Sequence, residues 1–137
     1  PLVVEAGFDI RDPWELTPFA LIKPALDLPF GQKKKQAWEK LNRIIGQNNE
    51  NAIRESHIIF AVMDGIDVDS GTAAEIACGA MMNKPTIGYR GDFRLASDNI
   101  GSIVNLQVEH FIYTRCGVIV TDMESLKTAL EKYRAKF

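Results

Sequence analysis

The chain has 137 residues, of which 46% are hydrophobic and 25% are charged, and its formal net charge is −2. This composition excludes an intrinsically disordered chain. The small net charge gives no reason to expect a nucleic-acid polymer or an anionic membrane as a partner. We expect a single domain over residues 1–137, because this length buries a substantial core.

The sequence shows no membrane span and no disulfide framework. No apolar run approaches the roughly 20 residues that a membrane span needs. Cys78 and Cys116 lie far apart and in no metal-ligand spacing. With no signal-peptide pattern in view, we expect a cytoplasmic location. The chain begins at Pro1 without a methionine, and we expect that a native N-terminal strand is missing from it.

The first part of the chain predicts one strand followed by helices. Apolar and polar residues alternate over 7–14, which predicts a strand. Prolines and glycines over 15–31 permit short helical turns at most. Apolar residues spaced near 3.6 predict an amphipathic helix over 33–45 that Gly46 ends, with a further helix reaching Ile53.

The second part predicts three more strands. The continuous apolar run over 57–64 predicts a strand that is buried on both faces, as in a parallel sheet. After it the patterns predict a helix over 72–83, a strand over 85–90, a polar loop over 91–102, a helix or strand over 104–112 with Leu106 and Phe111 inward, a strand over 117–121, and a helix over 122–137 with Leu126, Ala129, Leu130 and Tyr133 on one face.

Alternating strands and helices predict an α/β fold, a parallel sheet with helices on both faces in three layers. In such sheets ligands bind outside the carboxyl ends of the strands. The loop 64–71 leaves the most buried predicted strand at that edge. We therefore expect a site at this loop.

This loop and the helix after it carry four carboxylates, Asp64, Asp67, Asp69 and Glu75. Helix capping explains part of the pattern, with Thr72 as N-cap and Glu75 folding back in a capping box, or with Asp69 or Ser70 as the cap. The spacing alone favours capping over catalysis. A calcium loop counted from Asp67 fails, and three aspartates without a phosphate ligand do not complete a magnesium shell, so we expect no metal and no cofactor.

More carboxylates are present than a capping box uses. Neighbouring carboxylates raise one another's pKa and cost energy unless a function uses them. A nucleophilic carboxylate beside an acid/base carboxylate is the usual equipment for breaking a glycosidic bond. Small residues on the Glu75 face of the helix, Cys78 and Gly79, leave room for a flat ligand in this interpretation.

The stretch VMDGIDVDSGTAAEIACGAMMNKPTIGYRGDFR, residues 62–94, resembles the nucleoside 2-deoxyribosyltransferase family. The positions that match the family's signature are Asp69, Gly71, Thr72, Ala73, Glu75 and Lys84-Pro85. The signature consists of an aspartate, a Ser-Gly-Thr-Ala element, a glutamate and a Lys-Pro element. Weaker similarity runs from about Ala6 to Val120, through DPWEL, NENAI and VNLQ.

The resemblance implies a flavodoxin-like sheet and transfer of 2-deoxyribose between nucleobases in nucleotide salvage. Glu75 would attack C1′ and form a deoxyribosyl ester, while Asp69 would handle the proton of the departing base. Asn49 would contact the base. Asn105 would orient the nucleophile or contact the sugar, in its own or in a neighbouring subunit. The remaining substrate-binding positions expected are Asp64, Gly71, Asp92 and Arg94.

The partners implied are a deoxynucleoside and a free nucleobase, and family members are homo-oligomers, dimers or larger, with shared active sites. Two alternatives stay open. One is an N-glycoside hydrolase acting on deoxynucleosides or their 5′-monophosphates, in which Arg90 and Arg94 are candidates for holding phosphate. The other is a nucleotide-binding domain of the same fold without turnover.

Overall fold

A computed structural model describes residues 2–94 and 99–137, and the chain divides into two compact units. Pro1–Ile10 with Ser56–Phe137 form the sheet unit, and Arg11–Glu55 form the helical unit. The elements in chain order are α1 (Leu2–Glu5), α2 (Phe19–Leu26), α3 (Gln32–Glu55), β1 (Ile59–Val62), α4 (Ser70–Met81), β2 (Thr86–Tyr89), α5 (Leu106–Tyr113), β3 (Val118–Val120) and α6 (Met123–Arg134).

The sheet unit, over the residues described, contains three parallel strands in the order β1-β2-β3. The helices α4 and α5 cover one face, where Ile76, Val108 and Ile112 pack with Ala61 and Met63. The helix α6 covers the other face over β2 and β3, with α1 residues packed against the same cluster. Helices on both faces of a parallel sheet confirm the predicted three-layer α/β fold.

The helix α6 confirms the predicted periodicity. Asp122 caps it by accepting a hydrogen bond from the Ser125 amide at 2.8 Å. Its four predicted inward residues are all buried: Leu126, Ala129, Leu130 and Tyr133. The Tyr133 hydroxyl donates to the Cys116 carbonyl, so the polar end of this buried ring is satisfied.

The prediction of a strand over 7–14 is wrong. The structure has the short helix α1 before Gly7, whose φ of +85° turns the chain, and irregular backbone after it. At Asp12 the carboxylate accepts from the Trp14 amide at 3.0 Å, a local turn that takes the place of a sheet ladder. The alternation of apolar and polar residues did not distinguish a strand from an irregular connection.

The helical unit contains one long helix where the sequence predicted two. The helix α3 continues through Gly46, although a glycine in a helix costs about 1 kcal/mol relative to alanine. Leu41 and Ala52, about three turns apart, are both buried, and the continuous helix places them on the same side. Within this helix the Asn48 side-chain amide donates to the Leu16 carbonyl and the Thr17 hydroxyl at 3.3 and 3.0 Å.

The strand β1 is buried on one face only, so the prediction of burial on both faces is wrong. Its residues alternate between buried and exposed, with Phe60 38% and Val62 53% exposed. The reason is position, because β1 pairs with β2 alone among the described strands, and α6 lies over β2 and β3. A central strand would have carried cover on both sides.

The segment predicted as helix or strand over 104–112 contains the start of helix α5 at Leu106, which settles the open choice. Val108 and Ile112 face the core, whereas Leu106 is 50% exposed, contrary to the expectation of an inward side chain. Residues 95–98 of the predicted polar loop lie outside the described part of the chain. In the described ranges no helix combines the length and the apolar character that crossing a membrane requires.

Candidate active site

The candidate site lies where β1 and β2 end side by side. Val62 pairs with Tyr89 in the parallel register, so the segments that follow the two strands emerge at one edge of the sheet. The first segment runs to the start of α4, and the second begins at Arg90. This is the edge at which the sequence predicted a site.

Asp69 begins α4 as its N-cap. Its Oδ2 atom accepts hydrogen bonds from the amides of Gly71 at 2.9 Å and Thr72 at 3.1 Å. The absence of a side chain at Gly71 permits this approach, because a Cβ there would lie 3.0 Å from Oδ2. The capping bonds use one carboxylate oxygen, and Oδ1 of Asp69 has no hydrogen bond within the described residues.

Glu75 does not complete a capping box. The cap is Asp69 and not Thr72, and the Glu75 carboxylate makes no hydrogen bond to any residue that the structure describes. Its side chain is half-buried. Burial, and secondly the charge of Asp69, raise the pKa of Glu75 above its ordinary value of 4.5. A partly desolvated carboxylate without a donor is therefore present near the start of α4.

Asp64, Asp92 and Arg94 form a brace between the two loops. Asp64 Oδ1 accepts from the amides of Gly91 at 2.7 Å and Asp92 at 2.9 Å. Asp92 in turn accepts from the Gly65 amide at 3.3 Å and pairs with the Arg94 guanidinium. The hydrogen bonds from Arg94 hold the pKa of Asp92 well below its usual range. These carboxylates are engaged in holding backbone.

The carboxylates of the acidic loop do not converge on one point. Asp67 Oδ1 accepts from the amide of its neighbour Val68 at 2.7 Å, while Asp64 and Asp69 serve other amides. Among the described residues no group of three or more His, Cys, Asp or Glu side chains is arranged to hold a metal ion. The acidic loop is thus explained mainly by backbone amides that need acceptors.

The face of α4 below Glu75 is closer to the sheet than expected. Gly79 is buried, and a Cβ on it would lie 2.7 Å from Cγ1 of Ile59. The glycine therefore permits α4 to pack on β1. The interpretation that Gly79 leaves room for a flat ligand is wrong, since β1 fills that space.

The two asparagines predicted at the site lie in different units. Asn105 is in the sheet unit as the N-cap of α5, and its side chain accepts from the Gln107 amide at 2.9 Å. Asn49 is in the helical unit within α3, and its Oδ1 is buried without a hydrogen-bond partner in the part of the chain described. A buried amide oxygen of this kind retains the capacity to accept one hydrogen bond.

Arg90 and Phe93 both follow β2, and of the two the sequence did not single out Phe93. A wide, open surface depression is lined by Asp64, Gly91, Asp92, Phe93 and Arg94, and the Phe93 side chain is 94% exposed. Arg90, considered for phosphate binding, is 1% exposed and its guanidinium donates to main-chain carbonyls. The position of Arg90 at the end of a strand pattern indicated that it lies at the edge of the sheet where the strands end.

Comparisons with known proteins place these features in a family. The model of the family described as nucleoside 2-deoxyribosyltransferase matches residues 3–115. Among solved structures, a conserved protein from Enterococcus faecalis V583 superposes with a TM-score of 0.52 and 17% identity, covering 95% of this chain and 76% of that one, a likeness that supports the fold alone. No curated protein matches this chain. Because the family match spans most of the sequence, the chain belongs to the nucleoside 2-deoxyribosyltransferase family.

Proposed function

We propose that this protein transfers 2-deoxyribose from one nucleobase to another through a covalent ester on Glu75. One observation carries the proposal: the Glu75 carboxylate is half-buried and has no hydrogen-bond donor among the described residues, while Asp69 is close enough to raise its pKa. A carboxylate that served only its own helix would be paired with a backbone amide. An unpaired one is available to a substrate.

In the proposed first step, a Glu75 oxygen forms a bond to C1′ as the bond from C1′ to the base nitrogen breaks. In the reacting state Asp69 carries a proton on Oδ1 while Glu75 is ionised, so the pair holds one negative charge. The electron pair of the breaking bond stays on the base nitrogen, which takes that proton and leaves Asp69 ionised. Glu75 must be ionised to attack, and it stabilises the oxocarbenium-like character of the transition state before capturing it. The product is a deoxyribosyl ester and a free base.

In the second step, the nitrogen of an incoming base attacks C1′ and displaces Glu75. The incoming base returns its proton to Asp69, so atoms and charge balance over the cycle. Asp69 suits this role because Oδ2 is fixed by the Gly71 and Thr72 amides, whereas Oδ1 has no partner within the described residues. The same capping bonds fix the orientation of the proton-handling oxygen.

The alternative of a hydrolase acting on 5′-monophosphates gains little support from the two arginines considered for it. Arg90 is buried and donates to carbonyls, and Arg94 pairs with Asp92. Holding a phosphate dianion would require one of them to leave its present partners. We therefore favour a substrate without a 5′-phosphate.

Incubation with deoxyinosine, with and without adenine, tests the proposal. Transfer predicts that deoxyadenosine forms only when adenine is present. Release of hypoxanthine at a rate independent of adenine would instead indicate hydrolysis. Glu75→Ala should abolish product, whereas Glu131→Ala, which removes an exposed carboxylate on α6, should leave the rate unchanged. Activity of Glu75→Ala above a few per cent, by the usual cost of losing a nucleophile, would refute the assignment.

A further inference from the structure

Among the described residues of the sheet unit, Arg90 is the largest side chain that is less than 2% exposed. It is 1% exposed and follows β2 directly. Its guanidinium donates to three main-chain oxygens, those of Met63, Gly65 at 3.0 Å and Arg94 at 2.6 Å. Two of these lie after β1 and the third lies after β2, so one side chain spans both segments.

No carboxylate among the described residues forms an ion pair with Arg90. Burying a charge without an ionic partner is costly unless hydrogen bonds compensate for the lost water. Here carbonyl dipoles do so, and the planar guanidinium reaches oxygens in separate segments at once. A lysine has a single nitrogen and cannot span the same three acceptors.

The bonds from Arg90 run alongside the brace described above. Asp64, in the first segment, accepts from the amides of Gly91 and Asp92 in the second. Asp92 in the second segment accepts from the Gly65 amide in the first. The Arg90 guanidinium donates to carbonyls of both segments. Amides and carbonyls of each segment therefore have hydrogen-bond partners that connect the two segments.

We propose that Arg90 is a positioning residue for the candidate active site, locking the segments 63–65 and 91–94 together through its three carbonyl contacts. The segment 63–65 leads into the loop that ends at Asp69, and the segment 91–94 lines an open depression together with Asp64 of the first segment. The catalytic half of this inference rests on the proposed function. The structural half stands on the hydrogen bonds alone.

The test compares Arg90→Lys with Arg115→Lys in the full chain. Arg115 is the matched control, since its Nε also donates to a carbonyl, that of Ala80 at 2.8 Å, where α4 ends. Amide hydrogen exchange is measured at Gly65, Gly91 and Asp92, with strand amides away from Arg90 as reporters of global stability, among them that of Ile59, which donates to the Pro85 carbonyl at 2.9 Å. The transfer rate is measured on the same samples.

Arg90→Lys should lower protection at Gly65, Gly91 and Asp92 by about tenfold or more, with the strand amides little changed, because only the local opening becomes easier. It should also lower kcat roughly 10- to 100-fold, since small misplacements of reacting groups are costly. Arg115→Lys should do neither. A purely structural arginine would lower protection at all amides alike and leave kcat of the folded protein unchanged.

Unchanged exchange at the three loop amides in Arg90→Lys would overturn the inference, whatever the activity. Faster exchange with an unchanged kcat would overturn the positioning role. If the unsubstituted chain shows no transfer, the proposed function fails, and the exchange experiment still decides whether Arg90 locks the two segments. The two failures are therefore distinguishable.

Discussion

At the scale of single residues, the acidic loop separates into side chains with different partners. Asp64, Asp67 and Asp69 each accept from backbone amides, whereas Glu75 accepts from none that the structure describes. The sequence predicted capping and a catalytic pair in the same stretch, and it could not decide which carboxylate did which. That choice depends on where the chain turns, and the helix that Asp69 caps begins two residues before the predicted 72–83.

The Glu75 carboxylate has no hydrogen-bond donor among the described residues, so we expect its charged form to lower the stability of the folded protein. Replacing it with a neutral side chain should restore that stability. Because the folded chain holds the Glu75 proton more tightly than the unfolded chain does, stability falls as the pH rises from 4.5 through the raised pKa, and the loss persists at pH 7. Glu75→Gln should therefore raise Tm at pH 7 by about 1–3 °C, a modest value because the group is partly solvated.

The gain should shrink toward zero below about pH 4, where glutamate is protonated in both states. Thermal unfolding of the two proteins between pH 4 and pH 8 measures it. A lower Tm for Glu75→Gln at pH 7 would show that the carboxylate has a stabilising partner, contrary to the structure. The transfer rate of the unsubstituted protein should fall on the acid side, as Glu75 takes up its proton.

At the scale of elements, the helices α4 and α3 show that the effect of a glycine on helix packing and helix ends depends on the residues around it. Gly79 in α4 lies against Ile59 of β1, while a Cβ added to Gly46 in α3 would meet nothing within 4 Å. The sequence predicted that Gly46 ends a helix, because glycine commonly does so. Burial of Leu41 and Ala52 along one continuous face outweighs that preference. Local sequence does not contain this information.

These two glycines make a matched pair for alanine substitution. Gly79→Ala should lower the free energy of unfolding by about 1–3 kcal/mol, because Ile59 must move away. Gly46→Ala should raise it by about 0.5–1 kcal/mol, since alanine is the better helix former and meets no neighbour. Urea unfolding measures both, and effects of the same sign would contradict the helix positions described here.

The N-cap of α4 separates capping from catalysis at Asp69. Asp69→Ala should cost about 1 kcal/mol of stability, and Asp69→Ser much less, because serine is also a good cap. Both should lower the transfer rate about 100-fold or more if Asp69 handles the proton. Asp122→Ala removes the corresponding cap of α6 and should lower Tm without affecting the rate. A fully active Asp69→Ser variant would show that Asp69 is a cap only.

At the scale of the whole molecule, the layered α/β architecture followed from the order of strands and helices. The patterns at 57–64, 85–90 and 117–121 each contain an observed strand, whereas the pattern at 7–14 does not. The exposed face of β1 was not predictable, since its apolar run fits a central strand as well as an edge strand. Neighbouring strands, and not the strand's own residues, determine which it is.

The expectation of a homo-oligomer with shared sites stays a prediction, and complementation tests it. Glu75→Gln and Asn105→Asp are each expected to be inactive, and the second keeps the oxygen that caps α5. If Asn105 acts in a neighbouring subunit, mixing the two should restore about a quarter of the activity in a randomly assorted dimer. Mixtures as inactive as their components would place both residues in one subunit's site.

The central claim is that the Glu75 carboxylate becomes covalently bonded to deoxyribose. The direct measurement is mass spectrometry of the intact protein and its peptides, after incubation with a deoxynucleoside without an acceptor base and acid quenching. We predict a mass increase of one deoxyribosyl group on the peptide that contains Glu75, absent in Glu75→Gln and removed by adding a free base. An adduct on another carboxylate, or turnover with no adduct in the unsubstituted protein, would contradict it.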